Sequence, residues 1–156
     1  RVYDDLKKLG YMPDAANTNI GSAIFANKPG DGSAREQAAS CQRVLGGAAN
    51  FACEYATKRY RSNCINWGML PFLVENPGAL DNGDYVYLPG VRKALLEAAD
   101  ELDAVAVKSD GGLVKFTVKL GAMTDAERRI LFDTTGAEQA AGPTAHVGPS
   151  FFKPCL

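Results

Sequence analysis

The sequence predicts an α/β domain in which helices pack around a mixed sheet. Candidate strands and short helices follow one another without the strict alternation of an all-parallel sheet, and a hairpin late in the chain adds antiparallel pairing. The 156 residues have the length of one ordinary domain, which buries a core without disulfides or metal ions. We therefore expect a single domain over residues 1–156.

Two elements precede the first glycine-rich segment. Residues 2–9 repeat apolar side chains at i, i+4 and i+7, the spacing of one helix face, and a glycine ends that helix. Residues 11–18 contain a proline and several small polar side chains, so we assign 1–18 to a leading helix and linker. Residues 19–26 then predict a short buried strand.

A glycine-rich turn leads from that strand into a helix. Residues 29–36 read Pro-Gly-Asp-Gly-Ser-Ala-Arg-Glu, and the helical pattern continues to Leu45. Ser33 is the predicted N-cap, and Ser33-x-x-Glu36 fits a capping box, in which the two side chains satisfy each other's backbone donors. The free N–H groups at a helix start and the guanidinium of Arg35 equally suit a bound carboxylate or phosphate. Spacing alone leaves both interpretations open, at a strand-to-helix loop of the kind where α/β sheets bind ligands.

Two helices and a strand are predicted next. The helix after Ser33 has a narrow face of small residues that permits close packing on a sheet, formed by Ala34, Ala38, Cys41 and Leu45. Gly46-Gly47 ends it, residues 48–52 predict a strand, and residues 54–66 predict the second helix.

Basic and aromatic residues alternate in and around the second helix. The basic ones are Lys58, Arg59 and Arg61, and the aromatic ones are Tyr55, Tyr60 and Trp67. Such alternation suits single-stranded nucleic acid. Because the chain balances 17 basic against 18 acidic residues, we prefer a solvated helix face with the aromatic rings turned to the core, and we expect no nucleic-acid partner.

The second half adds the antiparallel strands. Residues 69–74 predict a strand, and Pro71 confines it to a sheet edge or a strand start. Residues 76–84 are rich in turn formers, and residues 84–88 alternate like a half-buried strand. Strands at 102–108 and 113–120 flank a Ser-Asp-Gly-Gly turn, a strong hairpin signal.

Two helices and a tail complete the predicted elements. Residues 89–100 predict a helix that turns Val91, Leu95 and Ala98 inward, with Leu96 a further candidate for that face. Thr124-x-x-Glu127 is a second capping box, at the start of a helix that stops near residue 136. Residues 137–156 lack a period, and we predict an irregular tail.

Cysteine spacing argues against a metal site held by this chain alone. Cys41, Cys53, Cys64 and Cys155 form no C-x-x-C pair, and His146 is the only histidine. Three of the cysteines lie in apolar stretches, which predicts small buried side chains. The sequence has no run of about 18 apolar residues and no signal-peptide pattern. We expect a cytoplasmic protein that has no membrane partner.

Two segments resemble the small C-terminal swivel domain of the aconitase superfamily. Residues 30–39, Gly-Asp-Gly-Ser-Ala-Arg-Glu-Gln-Ala-Ala, with Leu-Gly-Gly at 45–47, are similar to its G-x-G-S-S-R-E-H-A-A…L-G-G signature. Residues 60–71, Tyr-Arg-Ser-Asn-Cys-Ile-Asn-Trp-Gly-Met-Leu-Pro, are similar to its N-C/L…G-L-L-P segment, which the small subunit of 3-isopropylmalate dehydratase shares. The two matches span residues 19–75. The resemblance implies a swivelling β/β/α domain with a barrel-like mixed sheet.

The resemblance also implies a hydro-lyase or isomerase, a hydratase of tricarboxylic acid metabolism that acts on a hydroxy di- or tricarboxylate. It makes Ser33 the base that takes a proton from carbon and Arg35 the group that binds a substrate carboxylate, with Ala34 and Gly32 beside them. Ala34 replaces the second serine of the family's pair. The family's 4Fe–4S cluster is bound by larger domains, in the same polypeptide or in a large subunit. We expect these domains to be the partners of this chain, which binds no cofactor and is inactive alone.

Two alternatives stay open. One is a free-standing small subunit of the dehydratase type, although the chain opens at Arg1 on a helical fragment, which suggests a piece of a longer polypeptide. The other is a non-catalytic module that binds anions or RNA through the basic residues 58–61. A nucleotide-binding loop is disfavoured because Gly32-Ser33 lacks the lysine of a Walker A motif.

Overall fold

Helices alternate with strands through most of the chain. The structure, a computed structural model, describes residues 2–13, 18–135 and 150–155. The helices are α1 (Val2–Lys8), α2 (Arg35–Val44), α3 (Lys58–Asn66), α4 (Val91–Leu96) and α5 (Asp125–Thr134). The strands are β1 (Asn19–Ala26), β2 (Gly47–Ala52), β3 (Leu70–Val74), β4 (Tyr85–Leu88), β5 (Glu101–Val107), β6 (Leu113–Lys119) and β7 (Ser150–Cys155). The predicted α/β class, with a mixed sheet and flanking helices, is confirmed.

The sheet has a parallel and an antiparallel half. β1, β2 and β3 pair in parallel, and α2 and α3 are the crossovers between them. β6, β5 and β4 pair antiparallel, and β6 joins the first half through Leu73 and Val74 of β3. The six strands therefore lie in the order β1-β2-β3-β6-β5-β4, and the predicted hairpin of β5 and β6 is confirmed.

Residues 150–155 correct the prediction of an irregular tail. They form β7, which pairs in parallel with β1 and antiparallel with β4. The partners of this strand are distant in sequence, so the local pattern, which includes Pro154, gave no sign of the pairing. The rest of the predicted tail, residues 137–149 with His146, lies outside the described residues, as does part of the predicted linker, residues 14–17.

The sheet is held by a core that the helices cover. Phe51 of β2 and Phe72 of β3 stack with ring centroids 5.3 Å apart and belong to a cluster that reaches Leu131 of α5. A second cluster lies under α1, where buried Leu6 packs against Tyr87 and other residues of β4 and β5. The predicted leading helix is thus part of the packed domain.

Several predicted boundaries and faces are wrong. β1 is not a buried strand, because only Ala23 within it is fully buried. β4 is almost wholly buried rather than half-buried. α4 ends at Leu96, which is 61% exposed, and Ala98 is exposed with a φ of 55°, so neither faces inward. Pro71 is the second residue of β3, and pairing with β6 begins only at Leu73, so the predicted strand start is confirmed.

The second helix begins later than predicted. α3 starts at Lys58 and is capped by Thr57, whose hydroxyl accepts a hydrogen bond from the Tyr60 N–H at 3.2 Å. Residues 54–56 are not helical because the N–H groups of Glu54 and Ala56 bond the loop that follows β1. No helix among the described residues is long and apolar enough to cross a membrane.

Candidate functional site

The glycine-rich segment forms an exposed loop between β1 and α2, at the carboxyl end of a parallel strand. Gly32, Ser33 and Ala34 are exposed, and Arg35 is half-buried. All four line one open cleft of about 530 Å³, which is completed by Pro29, Gly30, Ala38 and Tyr60. The four residues predicted from the sequence therefore lie together at an accessible surface.

Ser33 does not cap α2. The N-cap is Ala34, and no side chain caps the helix, so both the predicted Ser33 cap and the capping box with Glu36 are wrong. The helix begins one residue later than expected, which places Ser33 before the cap. Its hydroxyl makes no hydrogen bond to any other described residue and is free for a ligand.

Arg35 has an unused donor at the same cleft. Its Nε is buried and has no hydrogen-bond partner among the described residues, and none of the ion pairs in this part of the chain includes Arg35. A buried donor without a partner is costly, and a guanidinium suits the two oxygens of a carboxylate. The free N–H groups and positive dipole end of α2 add to the local preference for an anion.

The first half of the loop is bonded to the segment that precedes α3. The N–H of Glu54 donates to the Asn27 carbonyl and the N–H of Ala56 to the Pro29 carbonyl, both at 3.0 Å. The Lys28 ammonium also lies 3.1 Å from the Glu54 carboxylate. Residues 27–30 are thereby held in place, whereas residues 31–34 extend into solvent.

α2 packs through a different face from the one predicted. The small residues Ala34, Ala38, Cys41 and Leu45 are all exposed, Leu45 to 81%. The buried residue is Ala39, and Arg35 and Gln42 lie half-buried on the same side of the helix. The helix turns this polar side inward because Gln42 forms hydrogen bonds with side chains beneath the helix.

These hydrogen bonds form a closed ring of three side chains, Gln42, Asn50 and Tyr60, which we call the polar ring. Gln42 Nε2 donates to the Tyr60 hydroxyl at 2.8 Å, which donates to Asn50 Oδ1 at 3.2 Å, and Asn50 Nδ2 donates to Gln42 Oε1 at 3.0 Å. Each member both donates and accepts, so these buried polar groups are satisfied. Sequence reasoning missed the polar ring, and its only local signal was Asn50 inside an otherwise apolar strand.

Burial keeps the nearby acidic groups protonated. It raises the pKa of Tyr60 to about 12, and it raises the pKa of the Cys64 thiol to about 11. Burial, reinforced by neighbouring Cys64 and Tyr60, also holds the pKa of Tyr55 well above its usual range. The Tyr60 hydroxyl therefore remains a hydrogen-bond donor throughout the physiological range.

The cysteines do not converge. Cys64 is buried, but Cys41 and Cys53 are exposed, so at least one of the three cysteines that we expected to be buried lies at the surface. Across residues 2–13 and 18–135, no three potential ligands of the His, Cys, Asp and Glu types come together. These residues do not fit an iron–sulfur cluster, and the side chain of Cys155 lies outside the described residues.

The basic residues of α3 do not form a surface that alternates with aromatic rings. Lys58 and Arg59 are exposed, but Arg61 Nη2 donates to the Leu120 carbonyl at 2.7 Å. Tyr60 is buried and Trp67 is 40% exposed. The exposed cations and the buried Tyr60 ring agree with a solvated helix face, but Trp67 is exposed, so the prediction that it turns to the core is wrong.

No protein-family model matches the chain, and comparison with curated proteins gives no significant match. Function is therefore inferred from the geometry of the cleft and from the two sequence segments that meet there.

Proposed function

We propose that this chain is the C-terminal domain of an aconitase-like hydro-lyase or isomerase acting on a hydroxy di- or tricarboxylate. Ser33 is the base and Arg35 binds a substrate carboxylate, in an active site completed by iron–sulfur domains outside this chain. One observation carries the proposal: Ser33, whose hydroxyl is free, and Arg35, whose buried Nε has no partner among the described residues, both line the same open cleft.

The fold gives coarse support to the proposed domain type. A mixed sheet with helices around it is what a swivelling β/β/α domain requires. The pairing of β7 with both β1 and β4 supports the barrel-like form of that sheet. In this proposal the complete enzyme is cytoplasmic, and its other domains bring the cluster and the rest of the substrate site to the cleft.

Ser33 needs help to act as a base. A serine hydroxyl takes a proton from carbon only after it has lost its own, and the alkoxide is stabilised by positive groups close to it. The start of α2, with its backbone N–H groups, follows Ser33 directly, and Arg35 lines the same cleft. Preorganised donors of this kind contribute about 10²- to 10³-fold in rate each.

Arg35 orients the substrate. Two parallel N–H···O bonds to a carboxylate fix both its distance and its plane, which brings the adjacent carbon towards Ser33. Ala34 contributes its backbone N–H and no hydroxyl. In this proposal the other domains close over the open cleft and limit competition from water.

The test replaces each residue in the complete enzyme. Ser33→Ala should lower kcat at least about 100-fold with a small change in KM, because the base acts only in the transition state. Arg35→Lys should raise KM and lower kcat, because a lysine ammonium lacks the guanidinium fork. The matched control is Arg59→Lys, at an exposed arginine of α3, which should leave both constants unchanged.

The isolated chain should show no turnover of citrate, isocitrate or 3-isopropylmalate. Undiminished turnover in both the Ser33→Ala and Arg35→Lys enzymes would remove the proposed roles, and metal-free turnover by the isolated chain would refute the need for further domains.

A further inference from the structure

We infer that Tyr60 is a positioning residue. It fixes the position of the glycine-rich loop relative to helix α2, and it thereby holds Ser33 and Arg35 in the relative positions that the reaction requires. This inference rests on the proposed function, because it concerns the same cleft. Tyr60 itself is 2% exposed, and in this inference its hydroxyl holds other residues in place rather than transferring a proton.

The ring of Tyr60 supports the loop. Gly30 has a φ of 96°, and a Cβ built on it would lie 2.4 Å from both Cβ and Cγ of Tyr60. The loop backbone therefore rests directly on the tyrosine side chain, three residues before Ser33. Only glycine allows so close an approach at this φ.

The backbone of Tyr60 is tied to the same loop through Thr57. The Thr57 hydroxyl accepts from the Tyr60 N–H at 3.2 Å and donates to the Gly30 carbonyl at 3.1 Å. The first turn of α3 and the loop thus share one hydroxyl. Any displacement of Tyr60 changes both the ring contact and this bond.

The hydroxyl of Tyr60 holds α2. Within the polar ring it bonds Gln42 of α2 and Asn50 of β2, which links the helix to the sheet. Gln42 lies seven residues, about two turns, after Arg35, so the two side chains lie on the same side of the helix. A rotation or slide of α2 that moves Gln42 also moves Arg35.

Tyr60 therefore touches both halves of the site, the loop that carries Ser33 and the helix that carries Arg35. Displacements near 1 Å in such an arrangement cost up to about 100-fold in rate.

Tyr55 lies beside Tyr60 and is a matched control. Its hydroxyl is bonded to the carbonyls of Asn50 and Phe72 on β2 and β3, and it contacts neither half of the site through a hydrogen bond.

The experiment compares Tyr60→Phe with Tyr55→Phe in the chain as it stands. Each variant loses one buried hydroxyl, so both should lose similar amounts of stability in urea. Two readouts separate positioning from structure: the amide resonances of residues 30–36 in the free protein, and the affinity for tricarballylate, an unreactive tricarboxylate. We expect Tyr60→Phe to shift or broaden those resonances and to weaken binding about five- to ten-fold. Tyr55→Phe should change neither.

A second variant removes the hydrogen bond between Gln42 and Tyr60 by changing the residue on α2. Gln42→Leu removes the bond between α2 and the Tyr60 hydroxyl, and it should reproduce the weaker binding of Tyr60→Phe. If Tyr60→Phe and Gln42→Leu match Tyr55→Phe in both readouts, the positioning role is overturned. If the wild-type chain binds no tricarballylate but the loop resonances still change in Tyr60→Phe, the positioning role is supported and the proposed carboxylate site is refuted. If Arg35→Lys abolishes binding while Tyr60→Phe does not weaken it, the carboxylate site is supported and the positioning role of Tyr60 is refuted.

Discussion

The backbone of Gly30 lies against the aromatic ring of Tyr60, so closely that no side chain fits between them. Gly30 begins the first of the two sequence segments that resemble the aconitase swivel domain, and Tyr60 begins the second. The contact joins the two segments: one supplies the loop and the other supplies the surface on which the loop rests.

The contact predicts that Gly30 tolerates no side chain. Gly30→Ala combines a strained positive φ with overlap against Tyr60, and we expect it to lower the free energy of unfolding by about 2–5 kcal/mol. Gly111→Ala is the control, because Gly111 has a φ of 92° and no atom within 4 Å of an added Cβ. The control should lose only the cost of placing an alanine at a positive φ, about 1–2 kcal/mol. Equal losses in urea unfolding would contradict the close contact.

The two Ser/Thr-x-x-Glu sequences should differ in their contribution to stability. In α5 the Thr124 hydroxyl accepts from the Glu127 N–H at 3.2 Å, and Glu127 Oε2 accepts from the Thr124 N–H at 2.8 Å, so this predicted capping box is confirmed. Thr124→Ala should cost about 1 kcal/mol. Ser33→Ala should change stability by less than about 0.5 kcal/mol, because Ser33 caps nothing. A similar loss in both variants, measured by thermal unfolding, would show that Ser33 has a structural role after all.

Stability should fall at alkaline pH. The pKa of Cys64 rises from an ordinary 9 to about 11 on folding, and that of Tyr60 rises from 10 to about 12. Below pH 9 both groups are protonated whether the chain is folded or not. Between pH 9 and 12 the unfolded chain releases protons that the folded chain keeps, so each group lowers the free energy of unfolding by about 1.4 kcal/mol per pH unit within its window.

Urea unfolding from pH 8 to 11.5 measures this slope. Tyr60→Phe should flatten it above pH 10, whatever its effect on stability at neutral pH. A slope that Tyr60→Phe leaves unchanged would mean that the Tyr60 hydroxyl ionises as readily in the folded chain as in the unfolded one.

One ion pair away from the site should contribute strongly to stability. The side chain of Asp84 is 1% exposed, and its carboxylate lies 2.7 Å from the Lys108 ammonium. Asp84→Ala removes the buried partner of that ammonium and should lower the free energy of unfolding by about 3 kcal/mol. Asp81 bonds the same ammonium at 2.9 Å but is 76% exposed, so Asp81→Ala should cost less than about 1 kcal/mol. Equal losses in urea would show that burial does not distinguish the two carboxylates.

Local patterns predicted the elements whose partners are near in sequence. The hairpin of β5 and β6, the Thr124 capping box and the helix stop at Gly46 all follow from a few adjacent residues, and all three are confirmed. The strand β7 and the late start of α3 depend on partners far along the chain, which no local pattern contains.

The inward face of α2 shows a different limit. Apolar spacing selected the side with Ala38 and Leu45, but the polar ring turns the side with Gln42 inward. A fully satisfied set of hydrogen bonds therefore overrode the hydrophobic pattern. The position of Ser33 and Arg35 in a cleft was predictable from the strand-to-helix loop, whereas the support from Tyr60 was not.

The most direct test of the central claim is whether the cleft binds a carboxylate through Arg35. We would titrate the chain with tricarballylate and follow the backbone amides of Ser33 and Arg35 and the Arg35 Nε–H by NMR. Saturable shifts at these groups, lost in Arg35→Lys and kept in Arg59→Lys, are the predicted result. Absence of saturable shifts there, or equal binding by Arg35→Lys and wild type, would contradict the account.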